Sequence, residues 1–307
     1  MSEAQPAFRS GFVSLVGRPN AGKSTLLNAL VGHKVAIVAD KPQTTRVSIQ
    51  GVLHLPQAQV VFMDTPGIHK ADTPLNKRMM DTVRAALEER DLLLFLADAA
   101  EPFGEDDRRA IDVLRKTQTP VILVLNKIDL LRDKAALLPL IERYKAVFEF
   151  ADFVPVSAAK GNGLDVLKKV IVERLPVGPA YFPEDHVTDQ PERFLAAELI
   201  REKVLLATRQ EVPHSVAVIV DRWEESPRLT RVFATIRVER PGQKAIVIGA
   251  KGAMLKRIGT QARQEIERLL GIKLFLDLHV RVEPGWRSRP VFLDALDWRS
   301  TAGGEES

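Results

Sequence analysis

The stretch Gly17-Arg18-Pro19-Asn20-Ala21-Gly22-Lys23-Ser24 holds the residues best suited to chemistry. Glycine, four residues, then Gly-Lys-Ser is the spacing of a loop that wraps phosphate. Its small residues let backbone N–H groups from Asn20 to Thr25 converge on phosphate oxygens. Lys23 brings a point charge to the β- and γ-phosphates, and the Ser24 hydroxyl can ligate Mg²⁺. The loop alone does not distinguish ATP from GTP. Asn126-Lys127-Ile128-Asp129 does: a buried carboxylate at Asp129 can accept from both N1–H and the exocyclic amine of guanine, an edge where adenine offers no such pair. Ser157-Ala158-Ala159 supplies backbone N–H groups for the guanine carbonyl. Asp64-Thr65-Pro66-Gly67 supplies a carboxylate for the magnesium water shell and a glycine N–H for the γ-phosphate. Each short motif is common; the four in this order imply a guanine nucleotide and its hydrolysis.

A further magnesium ligand should come from a mobile segment that senses the γ-phosphate. Lys41-Pro42-Gln43-Thr44-Thr45-Arg46 stands at that place, and either threonine can serve. Metal ligation is thus expected from Ser24, a threonine of this pair and, through water, Asp64. No side chain beyond Lys23 and that threonine is expected to act on the reacting phosphate. Ile68, after Gly67, occupies the position where Ras-type enzymes carry a water-orienting Gln, and an isoleucine cannot hold water. Intrinsic turnover should therefore be slow.

A second glycine loop, Gly249-Ala250-Lys251-Gly252, lies near the other end. Alone it is a weak signal, common in turns and helix caps. Its setting is basic: Arg240 to Arg289 holds eleven Lys or Arg against four Asp or Glu, in a chain of net charge +4. Such a block is an electrostatic footprint for an anionic partner. Lys251, Lys256 and Arg257 are the cations nearest the loop, and glycines there let a sugar-phosphate backbone approach. Ile246, Ile248, Met254 and Ile258 form an apolar ridge that can floor a groove or fill a core.

Near-continuous Val, Leu and Ile runs at Phe12–Gly17, Val47–Leu55, Gln59–Asp64, Leu92–Asp98, Val121–Asn126 and Phe153–Val156 read as buried strands. Helical patterns lie between them at Ser24–Val31, Leu75–Arg90, Asp106–Lys116, Ala135–Phe148 and Leu164–Leu175. That rhythm predicts a doubly wound α/β sheet with one edge hairpin near Pro56. Pro176, Pro179, Pro183 and Pro191 then mark a linker. A smaller α+β unit follows, with a helix at Arg193–Arg209, strands at Val216–Val220 and Val232–Val238, a helix at Met254–Leu270 and a strictly alternating strand at Ile272–Val282. The expected division is a flexible N-terminus over 1–9, a nucleotide-binding domain over 10–178, a linker over 179–192, a nucleic-acid-binding domain over 193–285 and a tail over 286–307. The ending TAGGEES reads as disordered, and Trp286 is free to stack on a base or to pack.

Composition narrows the class. The 307 residues suffice for two domains, and no cysteine is present, which excludes disulfides, thiolate catalysis and Cys-based zinc sites. No apolar run reaches membrane-spanning length, and no secretory signal opens the chain, so a cytoplasmic location is expected. The six histidines are scattered, and none is assigned a catalytic role.

GRPNAGKST, KPQTTR, DTPG, NKID, SAAKG, PEDHVTDQPERF and IVIGAKGAMLKRIG together resemble the bacterial Era GTPase family, over roughly Phe12 to Val282. The resemblance implies a P-loop GTPase domain followed by a type II KH domain. It turns Ala245–Ile248, strand-like by periodicity, into a short helix before the second loop. It favours Thr45 over Thr44, and it makes Asn20 a candidate K⁺ ligand beside GTP or GDP and Mg²⁺. The implied partner is the 3′ end of small-subunit ribosomal RNA in the 30S precursor, with a role in small-subunit maturation. A peripheral contact with the inner membrane is also implied, and no obligate oligomer. The competing readings are a GTPase whose basic module docks on protein or membrane, and a tRNA-modification enzyme; the latter would need a catalytic set that is not evident.

Overall fold

The computed structural model describes residues 7–41, 43–209 and 212–302. Contacts divide the chain into two compact units. The first comprises residues 1–36, 45–72 and 76–189, and the second residues 37–44, 73–75 and 190–307.

The first unit is built on a six-stranded sheet. Its strands are β1 (Arg9–Gly17), β2 (Ile49–Leu55), β3 (Ala58–Asp64), β4 (Leu92–Asp98), β5 (Val121–Asn126) and β6 (Asp152–Pro155). The spatial order is β2-β3-β1-β4-β5-β6. Only β2 runs antiparallel to its neighbour, as the hairpin at Pro56 requires. Every residue of β4 and β5 is buried, because helices cover both sheet faces. Those helices are α1 (Lys23–Val31), α2 (Pro74–Ala85), α3 (Glu105–Leu114), α4 (Leu137–Lys145) and α5 (Leu164–Arg174). Helix α2 stops short of the expected Arg90: its last turn tightens through Leu87 N–H to Arg84 O, and Glu89 is left-handed at φ 51°. All the βα loops that carry motifs leave the carboxyl ends of parallel strands, where doubly wound sheets bind ligands.

The proline-rich segment is not a free spacer. Gly178 N–H bonds Phe8 O, and Val177 bridges Arg9, so the supposedly flexible residues 8 and 9 are also pinned. Gln59 grips the segment with its whole amide: Nε2 donates to Phe182 O at 2.7 Å, and Oε1 accepts from Tyr181 N at 2.7 Å and Phe182 N at 3.0 Å. Further along, Val52 N–H bonds Val187 O at 2.9 Å and Thr188 Oγ1 donates to Gln50 O at 2.7 Å. The strap satisfies backbone groups on the outer edge of β2, which would otherwise be open to mispairing.

The second unit contains α6 (Glu192–Ala207), α7 (Val212–Ser215), β7 (Ala217–Glu224), β8 (Thr230–Val238), α8 (Pro241–Ile248), α9 (Ala253–Leu270), β9 (Leu274–Val282), α10 (Pro290–Ala295) and α11 (Trp298–Ala302). Its sheet order is β7-β8-β9, with β8 and β9 parallel. Ala245–Ile248 is helical, as the family resemblance and not the periodicity required. Helices α6 and α9 cover one sheet face around Leu199, Val204, Ile236, Ile258 and Ile266. Ile37 belongs to this core, and Glu202 accepts the Val38 N–H at 2.8 Å while Arg201 donates to the carbonyls of Gln43 and Thr44.

The expected tail is structured as far as Ala302; the rest of TAGGEES lies outside the described residues. Trp286 is fully buried, donates Nε1–H to Ser215 O at 2.9 Å and packs on Phe292. It cannot stack on a base. The fold of the second unit thus runs past residue 285, because its core needs that indole.

Candidate functional site

The phosphate loop leaves β1 and enters α1. Lys23 is 6% exposed, and its ammonium donates to the carbonyls of Gly17 at 3.2 Å and Arg18 at 3.1 Å. Burial pushes it down to about 8, against the pull of Asp64. Asp64, fully buried at the end of β3, is raised above the ordinary carboxylate range by burial, which Lys23 and hydrogen bonds from Ser24 and Thr45 oppose. The Arg18 side chain turns away to pair with buried Asp107 at 3.5 Å.

Three oxygens converge beside Lys23. Ser24 Oγ donates to Asp64 Oδ2 at 2.5 Å, Thr45 Oγ1 donates to the same oxygen at 3.2 Å, and the two hydroxyls lie 2.9 Å apart. Asp64 Oδ1 is buried with no hydrogen-bond partner. Thr44, in contrast, spends its hydroxyl inside its own loop, on Lys41 O at 2.6 Å and Ala39 O at 3.1 Å. Geometry therefore separates the two threonines that sequence left open. After β3, Thr65 Oγ1 anchors on Leu15 O at 2.7 Å, and Gly67 presses on the phosphate loop so closely that a Cβ would sit 2.7 Å from Pro19 Cα. Ile68 is 1% exposed in the core, with its N–H on Gly17 O at 3.0 Å.

On the base side, Asn126 behaves as a brace. It is 2% exposed, donates Nδ2 to Ala21 O at 2.9 Å and accepts Ala158 N–H at 3.0 Å, so it ties the phosphate loop to the SAA loop. The Ala158 N–H expected to meet guanine is consumed by this bond, while Ala159 is exposed beside it. Asp129 is exposed, not buried as the sequence led us to expect, because it sits on a one-turn helix at the rim; Ser157 Oγ fixes its carboxylate at 2.5 Å. Lys127 is left-handed at φ 66° and pairs with Asp98 at 2.7 Å. Sequence patterns missed these braces because each joins residues distant in the chain.

In the second unit, Gly249, Lys251 and Gly252 are all left-handed, at φ 71°, 50° and 79°. The loop is closed by Gly252 N–H on Gly249 O at 3.2 Å, and Lys251, Lys256 and Arg257 are exposed around it, with Ala250. A groove of about 370 Å³ starts at Gly252 and is lined by Leu255, Lys256, Gly259, Leu276 and Leu278. Of the ridge left open between groove floor and core, Ile258 is core with Ile248 and Met254 packed against it, Ile246 is 51% exposed, and β9 leucines line the groove.

Comparison with known proteins agrees with this geometry. Residues 12–127 match the model of a family described as 50S ribosome-binding GTPase, and residues 211–287 match a KH domain. The chain is 54% identical to GTPase Era of Geobacter metallireducens, over 95% of this chain and 98% of that one. It belongs to the Era GTPase family. Era of Geotalea uraniireducens is 52% identical over 93% of this chain and 96% of its own. Among solved structures, an Era in complex with MgGDPNP and nucleotides 1506–1542 of 16S ribosomal RNA superposes at a TM-score of 0.92, with 42% identity, over 95% of this chain and 99% of that one. An Aquifex aeolicus Era variant bound to GDP·AlF4⁻ superposes at 0.90, with the same identity and coverage. The expected Era architecture, a P-loop GTPase sheet plus a KH domain, is what the fold shows, and the chain is a GTPase. Among the described residues, no helix is long and apolar enough to cross a membrane, and no group of three or more His, Asp or Glu is arranged to hold a metal ion.

Proposed function

We propose that this chain is a GTP-driven switch in the cytoplasm whose KH domain holds the 3′ end of small-subunit ribosomal RNA during small-subunit maturation. The observation that supports this is the coexistence of two glycine loops, one per unit, each with left-handed residues (Asn20 and Gly22 in the first, Gly249, Lys251 and Gly252 in the second) and with lysines in or beside it. In the first, backbone N–H groups of Asn20 to Thr25 and the Lys23 ammonium receive the phosphates. Ser24 and Thr45 supply hydroxyls to Mg²⁺ and Asp64 binds its water shell; the buried, partnerless Asp64 Oδ1 and the three converging oxygens fit an ion with hard oxygen ligands. When bound, the ion neutralises charge between the β- and γ-phosphates. Gly67 N–H reports the γ-phosphate. Asp129, held by Ser157, accepts from guanine, and Ala159 N–H meets the guanine carbonyl with Lys127 alongside. Asn20 is exposed at the loop's mouth, which suits a K⁺ ligand.

In the second site, the backbone of Gly249–Gly252 receives the RNA phosphates, while Lys251, Lys256 and Arg257 neutralise them. The aliphatic groove then takes unstacked bases. The RNA assignment draws on the Era structure solved with 16S nucleotides.

The test is the affinity of a single-stranded oligonucleotide of the 16S 3′ end, at fixed salt, with GDP and with a non-hydrolysable GTP analogue, for wild type and Gly252→Asp. Tight binding that depends on both the analogue and Gly252 is expected. Binding indifferent to both would leave the basic module to a protein or membrane partner.

A further inference from the structure

Ile68 cannot hold a water, and its place in the core between β1 and α2 prevents it from swinging out without opening a cavity. The next residue differs. His69 is half-buried, yet both ring nitrogens are shut off from solvent and neither has a hydrogen-bond partner of good geometry. A buried polar group left in that state costs about 1–3 kcal/mol, so it calls for an explanation. Packing supplies a poor one, since a hydrocarbon ring of the same size would fill the space without the loss.

Its location supplies a better one. Two residues back, Gly67 lies against Pro19 of the phosphate loop, and the Ile68 N–H is fixed to Gly17 O. The ring feels the charge of Lys23, the ammonium that faces the β- and γ-phosphates. Burial first, and Lys23 as well, hold its pKa below the ordinary histidine value, against Asp72 and the carbonyls of His69 and Lys70. The imidazole is therefore neutral at neutral pH and keeps a lone pair to accept with.

We propose that His69 accepts a hydrogen bond from the water that attacks the γ-phosphate, and so fills the role left open by Ile68. This rests on the GTPase reading. The water oxygen bonds to the γ-phosphorus as the bond from that phosphorus to the β–γ bridging oxygen breaks. The electron pair leaves with GDP, and the water proton held toward His69 passes to the released phosphate, so the imidazole stays neutral throughout. His69 touches the reacting water and is a catalytic residue in that sense.

The experiment is single-turnover hydrolysis at saturating GTP by full-length wild type, His69→Phe and His69→Gln, with GDP affinity measured on each. His69→Phe keeps the ring volume and removes both nitrogens; a fall on the order of 100-fold in rate is expected, with GDP affinity unchanged. His69→Gln restores an acceptor and should recover most of the rate. A His69→Phe variant that turns over like wild type overturns the proposal. So does a His69→Gln variant as slow as His69→Phe, since that marks a packing role. If wild type itself leaves GTP intact, the GTPase reading fails, and this outcome is separate from either of those.

Discussion

Asn126→Ala should damage nucleotide binding more than its distance from the phosphates suggests. The amide is 2% exposed and makes two buried bonds, to Ala21 O at 2.9 Å and from Ala158 N at 3.0 Å. Truncation leaves that carbonyl and that N–H unpaired at residues only 0% and 6% exposed. At about 1–3 kcal/mol for each orphaned group, the first unit loses roughly 2–6 kcal/mol of stability. The two loops concerned are the phosphate loop and the loop after β6, which Asn126 ties together. If about half of the loss, roughly 1–3 kcal/mol, is felt only when both loops must be in place, affinity falls by roughly 5- to 140-fold, at about 1.4 kcal/mol per factor of ten. Titration calorimetry with GDP reads the affinity, and urea unfolding followed in parallel separates it from global loss of structure. The second unit should keep its oligonucleotide affinity in nucleotide-free protein. A GDP affinity within about threefold of wild type would refute the brace and return Asn126 to the role of a simple rim residue.

Three other substitutions test separate parts of the structure. Thr45→Ala should raise the Mg²⁺ concentration needed for hydrolysis about tenfold or more, whereas Thr44→Ala should leave it unchanged, because only Thr45 reaches Ser24 and Asp64; magnesium titrations of turnover decide. Gln59→Ala removes three hydrogen bonds to the strap at residues 181 and 182, and limited proteolysis should then cut between residues 179 and 189 well before the sheet unfolds. Trp286→Ala should destabilise the second unit by about 3–5 kcal/mol, seen as a lowered melting transition. Because Trp286 bonds Ser215 O and packs on Phe292 and does not line the groove, RNA affinity below that transition should hold.

Legibility followed sequence separation. The strands were plain because β4 and β5 are buried on both faces and must be continuously apolar. The phosphate loop was plain because its chemistry is confined to neighbours along the chain. What escaped was long-range. Nothing near Pro179 announces that Gln59, more than a hundred residues earlier, will grip it, so proline content read as looseness where it served a fixed extended strap. Sequence leaves stacking and packing both open for Trp286 for the same reason, since the partner that fixes it in the core is Ser215 O. Asp129, expected to be buried, is exposed, since the end of a buried strand gives no sign that the next turn climbs to the rim. His69 escaped because a lone histidine has no pattern; only the accessibility of its two nitrogens marks it.

The two glycines of the second loop look equivalent in sequence and are not. At Gly249, a Cβ would stand 2.6 Å from the Met254 Cβ and 3.0 Å from its backbone nitrogen, in addition to the strain of φ +71°. Neither neighbour can yield, because both belong to the first turn of α9. Gly249→Ala should therefore shift α8 against α9, lower the melting transition and abolish RNA binding together. At Gly252 a Cβ meets nothing within 4 Å, and only φ +79° is at stake. A left-handed alanine costs about 1–2 kcal/mol, so Gly252→Ala should fold and bind with modest loss. Gly252→Asp adds the same small strain, but its carboxylate projects into the open space through which a phosphodiester must approach, among Lys251, Lys256 and Arg257. It should melt near the alanine variant and yet bind RNA far more weakly, with a shallower salt dependence because fewer counterions are released. Melting curves and oligonucleotide titrations at two salt concentrations on the three variants separate the cases. If Gly252→Asp binds as well as Gly252→Ala, the phosphate backbone does not pass over this loop, and the open space beside Gly252 serves some other purpose.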